Sequence, residues 1–430
     1  VADVVLDEIV YSAEQLAVSK EKIASEVTRL SKLLNLEDLL DQPLATLSGG
    51  QQQRVAIAAA LISGAKVLLL DEPTSALDLQ GATEVLNLLK RLAKEEGVSI
   101  LLAEHRISRV IGAVDSVLVV HGDGSVTKGK PEDQFNDTRF APPIVELGKR
   151  LNWEPLPLSA EDANKRWSEG IRNFSEKPTN VPGDLVLETK ALEVSFNSVT
   201  AVKPTDISLF GNQITALMGE NGSGKTTLCW AIQGSGIRTK GSVVTSAGDP
   251  KDLSVTDRLS VITMVPQRAA DLLFLPTLSD ELHESDEFAE VPAGTTAALL
   301  QKLAGRIDTS IHPRDLSAGQ QLALVLSLQL VKDADVLILD EPTRGLDYAA
   351  KRALAKQLNL LRSPSRTVLL ATHDIEFVAM VADRVLVLKD GSIVQDSSPI
   401  EVLGSGKELA SQIAEITREP GLITIEQVIS

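Results

Sequence analysis

Gly219-Glu220-Asn221-Gly222-Ser223-Gly224-Lys225-Thr226-Thr227 is the stretch that decides the fold. It fits the pattern G-x-x-x-x-G-K-[ST], and its flanks suit that pattern. Ile214-Thr215-Ala216-Leu217-Met218 before it is a short apolar run that reads as a buried strand. Leu228-Cys229-Trp230-Ala231-Ile232 after it reads as the first turns of a helix. A strand, a glycine-rich loop and a helix N-terminus together make an anion site, because backbone N–H groups and the positive end of the helix dipole point at the anion. In this pattern Gly219, Gly222 and Gly224 let the loop wrap tightly. Lys225 reaches the β- and γ-phosphates of a nucleotide, and Thr226 puts its hydroxyl on Mg²⁺.

A chain of 430 residues is long enough for two or three domains. Apolar residues make up 43% and aromatics only 3%, so the cores rest on Leu, Val, Ile and Ala. The formal charge of −17 argues against a nucleic-acid protein, whose footprint is a basic patch. The single cysteine, Cys229, leaves no disulfide framework within the chain and suits a reducing compartment. No apolar run approaches the length of a membrane span, and the N-terminus lacks a basic-then-apolar signal. Any membrane association is expected to run through a partner.

From the N-terminus, residues 1–46 read as helical, with Leu16, Ile23, Val27, Leu30, Leu33, Leu34 and Leu36 at helical spacing and Ser19 as an N-cap. Leu47-Ser48-Gly49-Gly50-Gln51 opens a further helix. A strand, Val67 to Leu70, ends on Asp71-Glu72-Pro73-Thr74-Ser75-Ala76-Leu77-Asp78. A helix from Ala82 to Lys94 follows, then a strand from Ser99 to Ala103 ending on Glu104-His105, then a strand from Val117 to Val120. Strands alternating with helices predict a mostly parallel α/β sheet.

This order recurs. Residues 48–78 align without a gap on 317–347, with roughly half the positions identical. Leu316-Ser317-Ala318-Gly319-Gln320 repeats the first signature. Val336-Leu337-Ile338-Leu339-Asp340-Glu341-Pro342-Thr343 repeats the strand and its end, and Arg344-Gly345-Leu346-Asp347 repeats Ser75 to Asp78. His373 matches His105 with one residue of slippage. The phosphate-binding loop belongs to the second copy and has no counterpart in the first. Asp7-Glu8-Ile9 matches Asp280-Glu281-Leu282, a register that puts the counterpart of Gln267 just before Val1. The expectation is that about ninety residues of the first copy are missing and that the chain is a fragment. The expected domains are 1–130, a linker 131–184 with helices from Pro143 to Leu151 and Ser159 to Phe174, a complete second domain 185–405, and a tail 406–430. Trp153 and Trp167 are expected to dock the linker, and acidic 283–296 to form an exposed turn.

The phosphate-binding loop, the LSGGQ-type signatures, the strands ending in Asp-Glu, the Leu-Asp turns after them and the histidine at the next strand end together resemble the ATP-binding cassette ATPases. The resemblance covers about 1–130 and 185–405 and implies a tandem P-loop fold with helical signature subdomains, the first domain truncated. It implies ATP and Mg²⁺ as ligands. Asp340 would hold Mg²⁺ through water with Thr226, and Gln267 would bridge metal and water. Glu341 would take a proton from the attacking water, and His373 would contact the γ-phosphate. Such phosphoryl transfer needs positioning and charge stabilisation more than covalent help. Cassettes in this family pair head to tail, within a chain or between chains. The site is then Gly219 to Thr227, Gln267, Asp340, Glu341 and His373, closed by Ser48, Gly50, Gln51 and Asp78. The opposite site would use Ser317, Gly319 and Gln320 with Asp71, Glu72 and His105. Ala318 departs from the glycine at Gly49, which matters only if that position needs a positive φ. Phe196 stands near the place of the adenine-stacking aromatic, while Asn197 and Ser198 stand where the family more often has a tyrosine.

Among two-cassette proteins, translation-factor types usually carry an Asn-His-Leu-Asp turn where this chain has Ser-Ala-Leu-Asp and Arg-Gly-Leu-Asp. DNA-repair types carry coiled coils or zinc cysteines, and neither is present. Fused sugar-importer ATPases are a nearer rival. Asp7-Glu8-Ile9 and Ala103-Glu104-His105-Arg106-Ile107 look more like the fused ATPases of energy-coupling-factor vitamin and metal-ion importers. The resemblance then implies an ATPase at the cytoplasmic face of the membrane, docked on a transmembrane coupling protein and working with a substrate-binding membrane protein, and no nucleic-acid partner. The alternatives are an ATPase acting on the ribosome and a nucleotide-gated scaffold. Glu72 and Glu341 argue against the scaffold, since both copies keep the base.

Overall fold

The computed structural model describes residues 2–429 except 75, 76, 78, 105, 106, 122, 123, 136–140, 169–172, 178, 179 and 198. The chain divides into two compact units, Val1–Gln134 and Phe135–Ser430. Among the described residues no helix is long and apolar enough to cross a membrane.

Unit 1 begins with α1 (Val5–Gln15), α2 (Lys20–Leu33) and α3 (Gly49–Leu61). The Ser19 hydroxyl accepts from the Lys22 N–H and caps α2, as its sequence predicts. Next come β1 (Val67–Asp71), α4 (Leu79–Glu95), β2 (Ser99–Ala103), the single turn α5 (Ile107–Val110), β3 (Val117–Val120), β4 (Val126–Gly129) and α6 (Pro131–Gln134). Val5, Ile9, Leu30, Val55, Ile57, Leu68, Val85 and Leu92 share one core. β1 and β2 pair in parallel, from Val67 opposite Ser99 to Asp71 opposite Ala103, while β3 and β4 form a separate antiparallel pair.

Unit 2 repeats this plan and adds to it. It opens with α7 (Pro143–Arg150), α8 (Ala160–Ser168) and β5 (Asn173–Phe174). The strands β6 (Leu185–Phe196) and β7 (Val199–Phe210) lead to β8 (Ile214–Met218), α9 (Lys225–Gln233), β9 (Lys240–Thr245), α10 (Val255–Val261) and β10 (Ile262–Val265). The helical part holds α11 (Leu278–Ala289), α12 (Thr295–Ala304) and α13 (Ala318–Gln329). The chain then runs through β11 (Val336–Asp340), α14 (Tyr348–Leu360), β12 (Thr367–Ala371), α15 (Ile375–Val381), β13 (Arg384–Lys389), β14 (Ser392–Ser397), α16 (Pro399–Leu403), α17 (Gln412–Thr417) and β15 (Val428–Ile429).

The main sheet has the order β10-β11-β12-β8-β13-β14, parallel except for β14. β8, β11 and β12 are buried at every position, which is why they read as unbroken apolar runs rather than alternating ones. A second, antiparallel sheet has the order β7-β6-β9. The core between the sheets is filled by Leu228, Cys229, Ala231 and Ile232 of α9. The other face of the main sheet packs on α11 to α15, through Leu282, Leu300, Leu326, Leu358 and Phe377. Removing one such side chain costs about 2–5 kcal/mol, so the ends of these strands are held firmly.

The units differ in their sheets. In unit 2, β8 lies between β12 and β13. Unit 1 has no counterpart of β8 among its described residues, and the matching strands β2 and β3 stay in separate sheets. Val67 and Leu69 are 60% and 70% exposed, where the residues at the same register in β11 are buried.

Two expectations for unit 2 are corrected. Residues 283–296 are not an exposed turn: α11 continues through Ala289, and Asp286 is buried. Its carboxylate accepts from the N–H groups of Gly294 and Thr296 and from the Thr296 hydroxyl, which ties the start of α12 to α11. Those bonds hold its carboxyl below the ordinary value against the opposing effect of burial. Of the helix expected from Ser159 to Phe174, the described residues show Ala160–Ser168 as helix, while Phe174 pairs in β5 with Val428. Trp167 is buried and Trp153 partly so, in keeping with a docking role. The joining segment and the tail are built together. Arg150 donates to the carbonyls of Ile425 and Val428, Asn164 to that of Ile416, and the Ile144 N–H to the Gln412 side chain.

Candidate active site

The parallel strands end at one edge. Val265 lies opposite Leu339, Asp340 opposite Ala371, and Ala371 opposite Leu217. Residues just beyond these ends are therefore neighbours: Gln267 after β10, Glu341 after β11, His373 after β12 and Gly219 after β8. Ligands of open α/β sheets bind at this carboxyl edge.

The loop after β8 is held by close approaches. A side chain at Gly224 would meet the Ala201 carbonyl at 2.5 Å, and its φ of +106° suits glycine. Gly224 is the N-cap of α9, so the first N–H groups of that helix, from Lys225, Thr226 and Thr227, face the loop. The Gly391 N–H donates to the Ser223 carbonyl, which fastens the loop to the β13–β14 turn. Lys225 is buried, and its Nζ donates to the carbonyls of Gly219 and Glu220 at 2.8 and 3.0 Å. Burial lowers its pKa, against the pull of Glu341 and Asp340. Glu220 and Asn221 are exposed at the loop tip.

Thr226 Oγ1 donates to Asp340 Oδ2 at 2.8 Å. Asp340 Oδ1 is buried with no hydrogen-bond partner, and burial raises the Asp340 pKa. A buried, unpaired carboxylate oxygen beside a threonine hydroxyl is the hard-oxygen set that suits Mg²⁺. Glu341 is also buried. Its φ is +49°, a conformation that costs a non-glycine residue energy and tends to cluster at functional sites. Both its carboxylate oxygens are held: Thr372 Oγ1 donates to Oε2 at 3.2 Å, and His373 Nδ1 lies 2.9 Å from Oε1. A carboxylate only accepts, so the proton sits on Nδ1. His373 Nε2 is buried and unpartnered. Gln267 is exposed and lines a cleft of about 240 Å³ with Arg268, Asp271, Gln321, Glu341 and Arg344. The structure thus brings Lys225, Thr226, Asp340, Glu341, His373 and Gln267 to one edge.

The two signatures have the same local geometry. Ser48 and Ser317 N-cap α3 and α13. Each hydroxyl accepts from the N–H of Gln51 or Gln320, and each glutamine oxygen accepts from the serine N–H. Gly49 and Ala318 are the first helical residues and have no positive φ, so the alanine introduces no strain. Gly50 has open space around its Cα. Glu72 repeats the left-handed backbone of Glu341, at φ +45°, and its N–H bonds to the Ala103 carbonyl as that of Glu341 bonds to Ala371. Asp78 and His105 lie outside the described residues, as does Ser198. Phe196 is 44% exposed at the tip of the β6–β7 hairpin.

The match of Asp7-Glu8-Ile9 with Asp280-Glu281-Leu282 holds in detail. Both triplets start at the third residue of a helix, α1 and α11. Glu8 accepts from the Ala2 N–H, and Glu281 accepts from the N–H groups of Leu275 and Phe274 at 2.7 and 2.5 Å. Sequence reasoning did not reach this job of Glu281, nor that of Thr372. The signals were the repeat itself and the place of Thr372 directly before His373.

The family model described as ABC transporter matches residues 4–75 and 202–344, half of the chain. A relative from Streptomyces coelicolor, described as a candidate ABC transporter ATP-binding protein, is 36% identical over all of this chain and 82% of its own length. One from Saccharolobus solfataricus, described in the same way, is 33% identical over 93% of this chain and 76% of its own. The solved structure of RNase-L inhibitor superposes with a TM-score of 0.57, covering 93% of this chain and 72% of that one. At 24% identity that likeness speaks to the fold. The matched residues hold the phosphate-binding loop, both signatures and both Asp-Glu strand ends, and the chain belongs to the ABC transporter family as an ATPase with tandem cassettes.

Proposed function

We propose that this chain is the ATP-hydrolysing subunit of an importer of the energy-coupling-factor type, working at the cytoplasmic face through a transmembrane coupling protein and a substrate-binding membrane protein. The observation that carries the reading is Phe274, 80% exposed on the segment between Gln267 and α11. Glu281 pins the backbone of that same residue. A large apolar side chain held out on a fixed loop, a few residues from the ATP site, suits a partner whose movement must reach Gln267. Phe288 on α11 is also exposed, at 53%.

In this reading the N–H groups of Gly222 to Thr227 cradle the phosphates of ATP. Lys225 turns from the carbonyls of Gly219 and Glu220 to the β- and γ-phosphates. Thr226 and Asp340 would hold Mg²⁺, which supplies charge stabilisation on the phosphate oxygens. Glu341 accepts a proton from the water that attacks the γ-phosphorus, and the bond to the bridging oxygen breaks to leave ADP and phosphate. His373 faces the γ-phosphate with Nε2, which donates to a phosphate oxygen when it carries a proton as well as Nδ1, and Gln267 orients the water.

Co-purification tests the assignment of partners. The wild-type chain is expected with membrane proteins, and Phe274→Asp is expected to lose them while binding ATP as before. Sedimentation with ribosomes, weakening steeply with salt, would replace the importer reading by the ribosomal one.

A further inference from the structure

We propose, resting on the roles given above to Glu341 and His373, that Lys351 is a positioning residue for ATP hydrolysis: its buried ion pair with Asp374 fixes the turn that holds both oxygens of the Glu341 carboxylate. Lys351 Nζ lies 2.7 Å from Asp374 Oδ2, and the two side chains are only 8% and 9% exposed. Lys351 belongs to α14, whose N-cap is Asp347, with its Oδ1 accepting from the Ala350 N–H. Asp374 belongs to the turn after β12. Its Oδ1 accepts from the Phe377 N–H and caps α15, and its own N–H donates to Thr372 Oγ1. Thr372 Oγ1 in turn donates to Glu341 Oε2, and His373 holds Oε1. The residues from 372 to 374 therefore grip the Glu341 carboxylate on one side and Lys351 on the other. The helix capped by Asp347 and the Glu341 carboxylate are joined by an unbroken chain of polar contacts.

Stability alone is a weak reason for such a pair, because an apolar pair of similar volume is often as stable as a buried ion pair. A charged pair fixes direction as well as distance. The first copy supplies an independent observation. There, Ala82 stands at the place of Lys351 and Arg106 at that of Asp374. Both members of the pair are changed together in the first copy.

The test is steady-state ATPase kinetics and ATP binding by calorimetry on the full chain, for Lys351→Met, Lys351→Arg, Asp374→Asn and Glu341→Gln. Lys351→Met is expected to lower kcat at least ~10-fold while KM and the ATP affinity stay within ~2-fold, the signature of a group acting on the chemical step. Lys351→Arg keeps the charge and is expected to restore most of the rate. Asp374→Asn keeps an acceptor for the Phe377 N–H and removes the charge that pairs with Lys351, so it carries the test if Lys351→Met does not fold. In the Glu341→Gln background, Lys351→Met should cost nothing further, because both act through one carboxylate. A normal kcat in Lys351→Met and Asp374→Asn, beside a slow Glu341→Gln, overturns the positioning role alone. So does a double variant whose losses multiply. A normal rate in Glu341→Gln overturns the underlying reading instead.

Discussion

Thr226 Oγ1 and Asp340 Oδ2 meet at 2.8 Å although 114 residues separate them in the chain. The contact joins the first turn of α9 to the end of β11 and leaves Asp340 Oδ1 as a buried, unpaired oxygen. We predict that Asp340→Asn keeps the bond to Thr226 but weakens the Mg²⁺ dependence of ATP binding and lowers turnover at least ~10²-fold, on the scale of a lost positioned charge. Titrating ATP affinity against Mg²⁺ checks this. An unaltered Mg²⁺ dependence would move the metal site elsewhere.

Lys225 lies buried between two carbonyls of its own loop. Lys225→Ala is predicted to abolish tight ATP binding in calorimetry. Its melting temperature should hold or rise in the absence of nucleotide, since burial works against the ammonium. Unchanged affinity would show that another site binds the nucleotide.

Much of this was legible in the sequence because the chemistry is local there. Gly219 to Thr227 contains its own strand, loop and helix start, and Ser48 with Gln51 contains its own capping box. The repeat gave the order of strands. What the sequence hid depends on residues far apart. Asp286 looked like one more surface acid in an acidic run, because nothing nearby shows that Thr296 will bury it. The ion pair of Lys351 and Asp374 spans two helices that meet only after β12 takes its place beside β11. Phe174 looked helical by continuation from α8, and its strand partner Val428 comes from the far end of the chain.

Glu376 gives a pH prediction. Burial pushes its carboxyl up to about 7; the Gln412 N–H and Lys351 work against the rise, and Asp374 and Glu415 add to it. The folded chain therefore holds this proton where the unfolded chain, with an ordinary value near 4.5, has released it. Stability from this group falls as pH rises from about 4.5 to 7 and is flat above. Glu376→Gln keeps an acceptor for the Gln412 N–H and removes the proton. At pH 8 it is predicted to melt higher than wild type by roughly 2–4 °C, the shift that about 1 kcal/mol gives a domain of this size. At pH 5 the two should coincide. An equal difference at both values would contradict the assignment.

Glu341, held by Thr372 and His373 in a left-handed backbone, is the proposed base for hydrolysis at the β11 edge. Single-turnover hydrolysis of bound ATP by Glu341→Gln tests it most directly. The expected result is wild-type ATP affinity with hydrolysis slowed at least ~10²-fold, the scale of a positioned base. Hydrolysis at the wild-type rate would contradict it.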